Sequence, residues 1–119
     1  MKNYFKQSNP FKVPTNDNKL IEEHFGIVAN GEKNYSIAHM VAPPKWIEPQ
    51  QNPEFDEITI MIRGAKKIII DDEEIFLKKG ESLFVKKGSR VQYSNPFDEE
   101  AEYWSICLPA FTIEKANRK

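Results

Sequence analysis

Side chains that can accept, donate or transfer protons are concentrated in one short segment of the chain. Residues 48–57 include Glu48, Gln50, Gln51, Glu54 and Glu57. Two carboxylates in a partly apolar cavity have their pKa values pushed apart, so that one can serve as a general acid and the other as a general base. The alternative is a solvated loop between Pro49 and Pro53, because most Asp and Glu side chains are exposed.

Histidine is scarce in this chain, which contains only His24 and His39. His39 lies in an apolar segment that predicts a strand, and it is either a ligand-binding residue or a hydrogen-bonded structural one. Transition metals prefer nitrogen or sulfur ligands, so a set of carboxylates and amides with one imidazole binds them poorly. We therefore predict no cofactor. If a divalent metal does bind, the best ligand set that the chain offers is His39, Glu48 and Glu57.

Alternating residues predict two strands, each of which has one set of side chains on the face towards the pocket. These side chains are Glu57, Thr59 and Met61 in the first segment, and Val91, Tyr93 and Asn95 in the second. Strand, turn and strand recur about every ten residues as far as Pro109. This rhythm predicts antiparallel strands arranged as a sandwich or a closed barrel.

The spacing of several residues in two segments resembles the two signatures of the cupin family. Gly80, Gly88 and Asn95 match the second signature, and Glu57 followed by Gly64 matches the end of the first. Gly80 and Gly88 stand where a reversing chain requires a positive φ, which glycine adopts without steric cost. The resemblance covers roughly residues 36–111.

The resemblance implies an all-β fold, a double-stranded β-helix or jelly-roll barrel, with both signature segments as neighbouring inward-facing strands. Glu57 would then face Val91. The metal site of the family is degenerate here, because Val91 stands where the family has a metal-binding histidine and no histidine pair precedes Glu57. Lys86 also replaces the proline of the second signature.

The function that the resemblance implies is a small-molecule-binding cupin with an atypical, metal-free pocket. With Glu57 as general base and Glu48 as general acid, an isomerase or lyase that removes a proton beside a carbonyl is the expected enzyme. The residues predicted to bind the ligand are His39, Gln51, Glu54, Tyr93 and Trp104. Tyr93 and Trp104 either line the mouth of the pocket or fill the barrel.

Two other functions follow from the same residues. The first is a non-catalytic ligand sensor or accessory subunit, because the chain resembles cupins of metabolic operons, such as those of ethanolamine utilisation, that also lack the metal histidines. The second is a metal-dependent dioxygenase. It is disfavoured, because its facial triad requires two histidines and a carboxylate.

The composition restricts the kinds of partner. Seventeen basic and eighteen acidic residues give no broad positive surface for nucleic acid or an anionic membrane. The single cysteine, Cys107, is expected to be a buried small hydrophobe, and it cannot form an intrachain disulfide. Because no apolar run of signal-peptide length is present, we expect a cytoplasmic protein whose partners are a small-molecule ligand and a second copy of the chain.

The domain organisation predicted from the sequence has three parts. An extended N-terminal arm occupies residues 1–20, the barrel residues 21–111 and a tail residues 112–119. The apolar arm has to pack on a sheet, of its own subunit or of a neighbour, which favours a homodimer. Asn30-Gly31 predicts a hairpin loop, and the tail is either a helical turn or frayed.

Overall fold

A computed structural model describes residues 2–118 of the chain. The strands are β1 (Phe11–Lys12), β2 (Leu20–Phe25), β3 (Ser36–Ala42), β4 (Trp46–Ile47), β5 (Asp56–Arg63), β6 (Ala65–Ile70), β7 (Glu73–Lys78), β8 (Ser82–Val85), β9 (Val91–Asn95) and β10 (Ala101–Leu108). Two short helices, α1 (Ile27–Asn30) and α2 (Ile113–Ala116), complete the fold. Within residues 2–118, no helix is long and apolar enough to cross a membrane.

The strands form two antiparallel sheets that face each other. The larger sheet has the order β1-β2-β3-β10-β5-β8 and the smaller one the order β4-β9-β6-β7. This arrangement confirms the predicted all-β jelly roll. The predicted adjacency of the two signature segments is correct for β8, which pairs with β5, and wrong for β9. Strand β9 lies in the smaller sheet, so its side chains reach those of β5 across the barrel.

The inward faces predicted from alternation are confirmed. On β5, Thr59 and Met61 are 1% and 2% exposed, whereas the intervening Ile60 is 40% exposed. Val91 is fully buried on β9. The core between the sheets consists mainly of Ala42, Trp46, Met61, Ile68, Leu77, Val85, Val91, Tyr93, Ala101 and Tyr103. The hydrophobic effect therefore holds the two sheets together along a continuous apolar interior.

The positive φ predicted for Gly80 and Gly88 is confirmed, and Gly64 has a positive φ as well. Gly64, Gly80 and Gly88 have φ values of 76°, 84° and 84°. At Gly64 a second constraint applies, because a Cβ atom there would collide with the backbone carbonyl oxygen of Glu100. Strand β5 can turn directly into β6 at this point because the residue has no side chain.

The hairpin predicted at Asn30-Gly31 is confirmed by the antiparallel pairing of β2 with β3, but the segment just before Asn30-Gly31 is not a strand. The chain instead forms the helical turn α1, which ends with Gly31 in the left-handed conformation. Side chains stabilise the turn, since Asn30 Oδ1 accepts a hydrogen bond from the Gly26 N–H and Glu23 Oε2 accepts one from the Ala29 N–H. These contacts offset the cost of nucleating so short a helix.

The two ends of the chain pack against the barrel. Strand β1 pairs with β2, and the ring of Phe5 lies 6.1 Å from that of Phe25, although Phe5 remains 55% exposed. At the other end the tail forms α2, whose Ala116 is fully buried. Of the two alternatives for the tail, the helical turn is therefore correct; Lys119 lies outside the described residues.

Candidate functional site

The barrel encloses a cavity of about 90 Å³ between the two sheets. Its polar lining comes from both sheets and from both ends of the chain, and it includes Lys19, Glu48, Gln51, Glu57, Lys66, Tyr93, Tyr103, Ser105 and Arg118. A cavity of this size, lined by polar groups, accommodates a few water molecules or a small organic ligand.

Lys66 on β6 is the most deeply buried cation in the cavity. Its side chain points inwards with Ile68, while the next residue, Lys67, points outwards and pairs with Glu74 at 3.4 Å. The Lys66 Nζ atom lies 3.7 Å from the ring centre of Tyr103 and 4.5 Å from that of Tyr93. Burial, together with the nearby positive charge of Lys19, lowers the pKa of Lys66 to about 7.

Lys19 brings a second ammonium group into the cavity from the residue before β2. Its Nζ atom lies 4.2 Å from the ring centre of Trp46 and 5.7 Å from that of Tyr103. Burial lowers the pKa of Lys19, although the negative charge of Glu48 opposes this effect. Cation–π contacts with the two rings partly replace the water that each ammonium loses.

Glu57 on β5 faces the cavity, as predicted from the alternation of the strand. Its Oε2 atom accepts a hydrogen bond of 2.7 Å from the Ser105 hydroxyl on the adjacent strand β10. Burial raises the pKa of Glu57, while the Ser105 hydrogen bond and the charge of Lys66 act in the opposite direction. Burial therefore shifts the pKa values of the Glu57 carboxyl and the Lys66 amine towards each other, which favours proton transfer within the cavity.

Glu48 and Gln51 lie at the end of the cavity that the C-terminal tail covers. Arg118 reaches both of them, with its NH2 atom 3.5 Å from Glu48 Oε2 and its Nε donating to Gln51 Oε1 at 3.3 Å. Gln51 is also fixed through its backbone, which exchanges two hydrogen bonds of 2.9 Å with Val91. The tail therefore forms one wall of the cavity rather than an independent appendage.

Tyr93 and Tyr103 bring two hydroxyl groups into the interior from opposite sheets. Both hydroxyl oxygens are buried. That of Tyr103 has no hydrogen-bond partner among residues 2–118, whereas that of Tyr93 makes no hydrogen bond of good geometry there but lies near enough to Glu57 for the two groups to interact. Burial raises the pKa of both phenols, so both are neutral donors at physiological pH. A buried hydroxyl without a partner costs about 1–3 kcal/mol, which indicates that a ligand or ordered water occupies the cavity.

The structure brings together only part of the predicted site. Glu57, Glu48, Gln51 and Tyr93 all line the cavity, whereas Glu54 is exposed and lies outside it. The solvated-loop alternative therefore describes Glu54. Cys107 is 4% exposed and lies beside Glu57 on the neighbouring strand, as expected for a buried small side chain.

His39 and Trp104 lie on the outer face of the larger sheet, so the prediction that placed them at the pocket is corrected. The two residues are cross-strand partners, and both belong to the set that alternates with the inward residues. The His39 ring is held between Glu22 at 2.9 Å and Glu102 at 2.7 Å. Burial opposes protonation of His39, but the hydrogen bonds to the two carboxylates outweigh it and raise the pKa.

The cavity side chains do not fit the metal centre of the family. Among residues 2–118, no three His, Cys, Asp or Glu side chains converge in a way that could hold a metal ion. The fully buried Val91 stands where the family has a histidine, and the side chains of Lys19 and Lys66 line the same cavity. Positively charged side chains in a low-dielectric interior disfavour the binding of a cation beside them.

Sequence reasoning missed the lysines, Ser105 and Arg118. For Lys66 a signal was present, because two consecutive lysines in an apolar strand cannot both point outwards when alternate residues face opposite sides. Ser105 carried a similar signal, since it alternates with Tyr103 and Cys107 on β10. Lys19 and Arg118 lie in irregular segments, where alternation gives no information.

The family model that matches the chain describes a cupin domain and covers residues 38–107. Among curated proteins, the Endoribonuclease YbeY of Myxococcus xanthus (strain DK1622) is 40% identical over 105 residues, which are 88% of this chain and 36% of that protein. The Acetate kinase EutQ of Clostridioides difficile (strain 630) is 38% identical over 56 residues, which are 47% of this chain and 34% of that protein. The chain thus spans about a third of the length of each.

A solved structure agrees with these matches. The EutQ protein of Clostridium difficile superposes with a TM-score of 0.64 at 25% sequence identity, over 87% of this chain and 68% of that chain. Because the family model also matches more than half of the sequence, the chain belongs to the cupin domain family.

Proposed function

We propose that this cupin binds a small carboxylic acid anion, of two or three carbon atoms, inside its barrel cavity. The observation that carries the proposal is the convergence of two lysine side chains, Lys19 and Lys66, on an enclosed space that also contains the buried hydroxyls of Tyr93 and Tyr103. Together they offer cationic and neutral hydrogen-bond donors, which is the set that a carboxylate requires.

The charges around the cavity favour an anion over a cation. Each of its carboxylates already has a partner within the chain: Glu23 accepts from the Ala29 N–H, Glu48 pairs with Arg118 and Glu57 accepts from the Ser105 hydroxyl. The two lysines, in contrast, form no ion pair within residues 2–118. A buried lysine that makes no direct ion pair is costly in its charged form, and a ligand carboxylate would lower that cost.

The size of the cavity restricts the ligand to a few heavy atoms. At about 90 Å³ it has room for an acid such as acetate or pyruvate but not for a sugar or a nucleotide. One of the relatives carries acetate in its name, the Acetate kinase EutQ of Clostridioides difficile. That similarity supports a two-carbon acid as the first ligand to test.

For a catalytic use of the site, we propose Glu57 as the general base of an isomerase or lyase. Lys66, rather than Glu48, is the better proton-transfer partner, because Glu48 is held by Arg118 and Gln51 at the covered end of the cavity. Binding without turnover, as in a sensor or accessory subunit, uses the same contacts.

Isothermal titration calorimetry with acetate, ethanol and ethylamine tests the proposal. These ligands are similar in size and differ in charge, so acetate alone should bind. A ligand of four heavy atoms has at most about 6 kcal/mol of binding free energy, so we expect a dissociation constant in the upper micromolar to millimolar range. Equal binding of ethanol or ethylamine, or no binding of acetate, would contradict the proposal.

A pair of variants assigns the binding to the cavity. Lys19→Met removes the charge while keeping the length of the side chain, and it should weaken acetate binding about tenfold or more. Lys12→Met is the matched control, because Lys12 is an exposed residue of the same arm. If both variants bind acetate like the parent, the anion is held elsewhere.

A further inference from the structure

We infer that Lys66 is a nucleophile that forms an imine with the carbonyl group of a small 2-oxo acid or aldehyde held in the cavity. This inference rests on the proposed function, because it deepens the use of the same cavity from anion binding to covalent chemistry. It names a class of substrate, carbonyl compounds of two or three carbon atoms, and the atom that attacks them, Lys66 Nζ.

The surroundings of Lys66 are those that make an amine reactive. The side chain is 2% exposed, lines the cavity and forms no ion pair within the described part of the chain. Its Nζ atom rests against the rings of Tyr103 and Tyr93. A desolvated lysine near a second cation loses its proton readily, and the neutral amine is the nucleophilic form. The second cation here is Lys19, whose charge acts on Lys66.

The reaction balances with groups that the cavity already contains. The Lys66 nitrogen forms a bond to the carbonyl carbon, the C=O π bond breaks and one proton moves from nitrogen to oxygen, which gives a carbinolamine. The C–O bond then breaks, the hydroxyl takes a proton and leaves as water, and a C=N bond forms. Glu57 lines the same cavity, and its carboxyl group can donate that proton and take it back.

Lys19 distinguishes a 2-oxo acid from a neutral carbonyl compound. Its ammonium group faces the same cavity and can pair with the carboxylate of the ligand, while Lys66 attacks the adjacent carbonyl carbon. Two lysines with separate tasks explain why the cavity contains both. A neutral carbonyl compound such as acetone would react at Lys66 without the benefit of Lys19.

Reductive trapping tests this inference. The full-length protein is incubated with pyruvate and cyanoborohydride, and peptide mass mapping then measures the alkylation of each lysine. Lys67 is an internal control, since it is the next residue and points outwards towards Glu74. We expect Lys66 to be modified about tenfold or more faster than Lys67, and Lys66→Arg to abolish that adduct while Lys67→Arg keeps it.

Each result of this experiment supports or overturns the inference. Modification of Lys66 no faster than that of Lys67 overturns it, and the comparison within the parent chain holds even if Lys66→Arg does not fold. If acetate binds by calorimetry but pyruvate gives no Lys66 adduct, the covalent step fails and the proposed function survives. If Lys66 is trapped equally fast by pyruvate and acetone, with no acetate binding, the covalent step survives and the carboxylate preference fails.

Discussion

The Lys66 Nζ atom lies 3.7 Å from the ring centre of Tyr103, a residue on the opposite side of the barrel. Lys66 belongs to β6 in the smaller sheet and Tyr103 to β10 in the larger one. The contact therefore joins the two sheets inside the barrel, at the wall of the cavity. An ammonium group at such a position is maintained at a cost to stability, which natural proteins accept mainly at functional sites.

The first prediction concerns the pH dependence of stability. The pKa of Lys66 falls from 10.5 to about 7 on folding, so between these values the unfolded chain binds a proton that the folded chain does not. Stability should therefore rise with pH from about 7 to 10.5. Lys66→Met should remove most of this rise and stabilise the protein by about 2–5 kcal/mol at pH 7, measured by urea unfolding.

The control for this prediction is Lys67→Met, which removes the same group from the outward face of β6. This variant should leave the slope of stability against pH unchanged. The groups that also face Lys66 are Lys19, Glu57 and Glu48. Because burial lowers the pKa of Lys19 as well, a weak slope should persist in the Lys66 variant. An unchanged slope in Lys66→Met would show that this amine keeps its proton on folding.

The second prediction concerns proton transfer by Glu57. Glu57→Gln keeps the shape of the side chain and its ability to accept from the Ser105 hydroxyl, but it cannot exchange a proton. We expect pyruvate trapping at Lys66 to slow about 10²-fold, with acetate binding retained, as measured by time-resolved peptide mapping and calorimetry. Glu54→Gln is the matched control at an exposed carboxylate. Equal rates of pyruvate trapping in both variants would show that Glu57 takes no part in the reaction.

The third prediction concerns the glycine between β5 and β6. Gly64→Ala should destabilise the fold by about 3 kcal/mol or more, because it strains a positive φ and places a Cβ against the Glu100 carbonyl oxygen. Gly80→Ala strains a similar φ of 84° in open space and should cost about 1 kcal/mol. Thermal unfolding compares the two variants. A smaller loss for Gly64→Ala than for Gly80→Ala would contradict this account of the first signature.

Much of the fold follows from alternation and turn residues, whereas the chemistry of the cavity does not. The match of Glu57, Gly64, Gly80, Gly88 and Asn95 to family spacing located the strands and the inward carboxylate. The same alternation places His39 and Trp104 on the outer face of the larger sheet, but only when the register between β3 and β10 is known. That register depends on pairing between distant strands, which the local sequence does not determine.

The cavity also depends on segments that have no periodic pattern. Lys19 lies in the arm just before β2, and Arg118 follows α2 in the tail. Both reach the cavity because the ends of the chain fold back onto the barrel, and this is a tertiary effect. The burial of a lysine on β6 could be predicted from the sequence, because alternate residues of a strand face opposite sides and one of two consecutive lysines must point inwards.

The fourth prediction is the homodimer, which we retain as a proposal. The N-terminal arm contains apolar side chains that the barrel covers only in part, with Tyr4 71%, Phe5 55% and Phe11 40% exposed. Such a surface favours contact with a second copy of the chain. Light scattering should give the mass of a dimer for the full chain and that of a monomer after deletion of residues 1–14. A monomeric full-length chain would contradict the proposal, and an unchanged dimer would exclude the arm from the interface.

The central claim is that the cavity between the two sheets binds a small carboxylate, and diffraction from crystals grown with saturating pyruvate tests it most directly. We predict electron density for one pyruvate molecule inside the barrel, with its carboxylate within hydrogen-bonding distance of Lys19 Nζ and its carbonyl carbon next to Lys66 Nζ. Density for water alone or for a metal ion in the cavity, with pyruvate absent or bound on the surface, would contradict the claim.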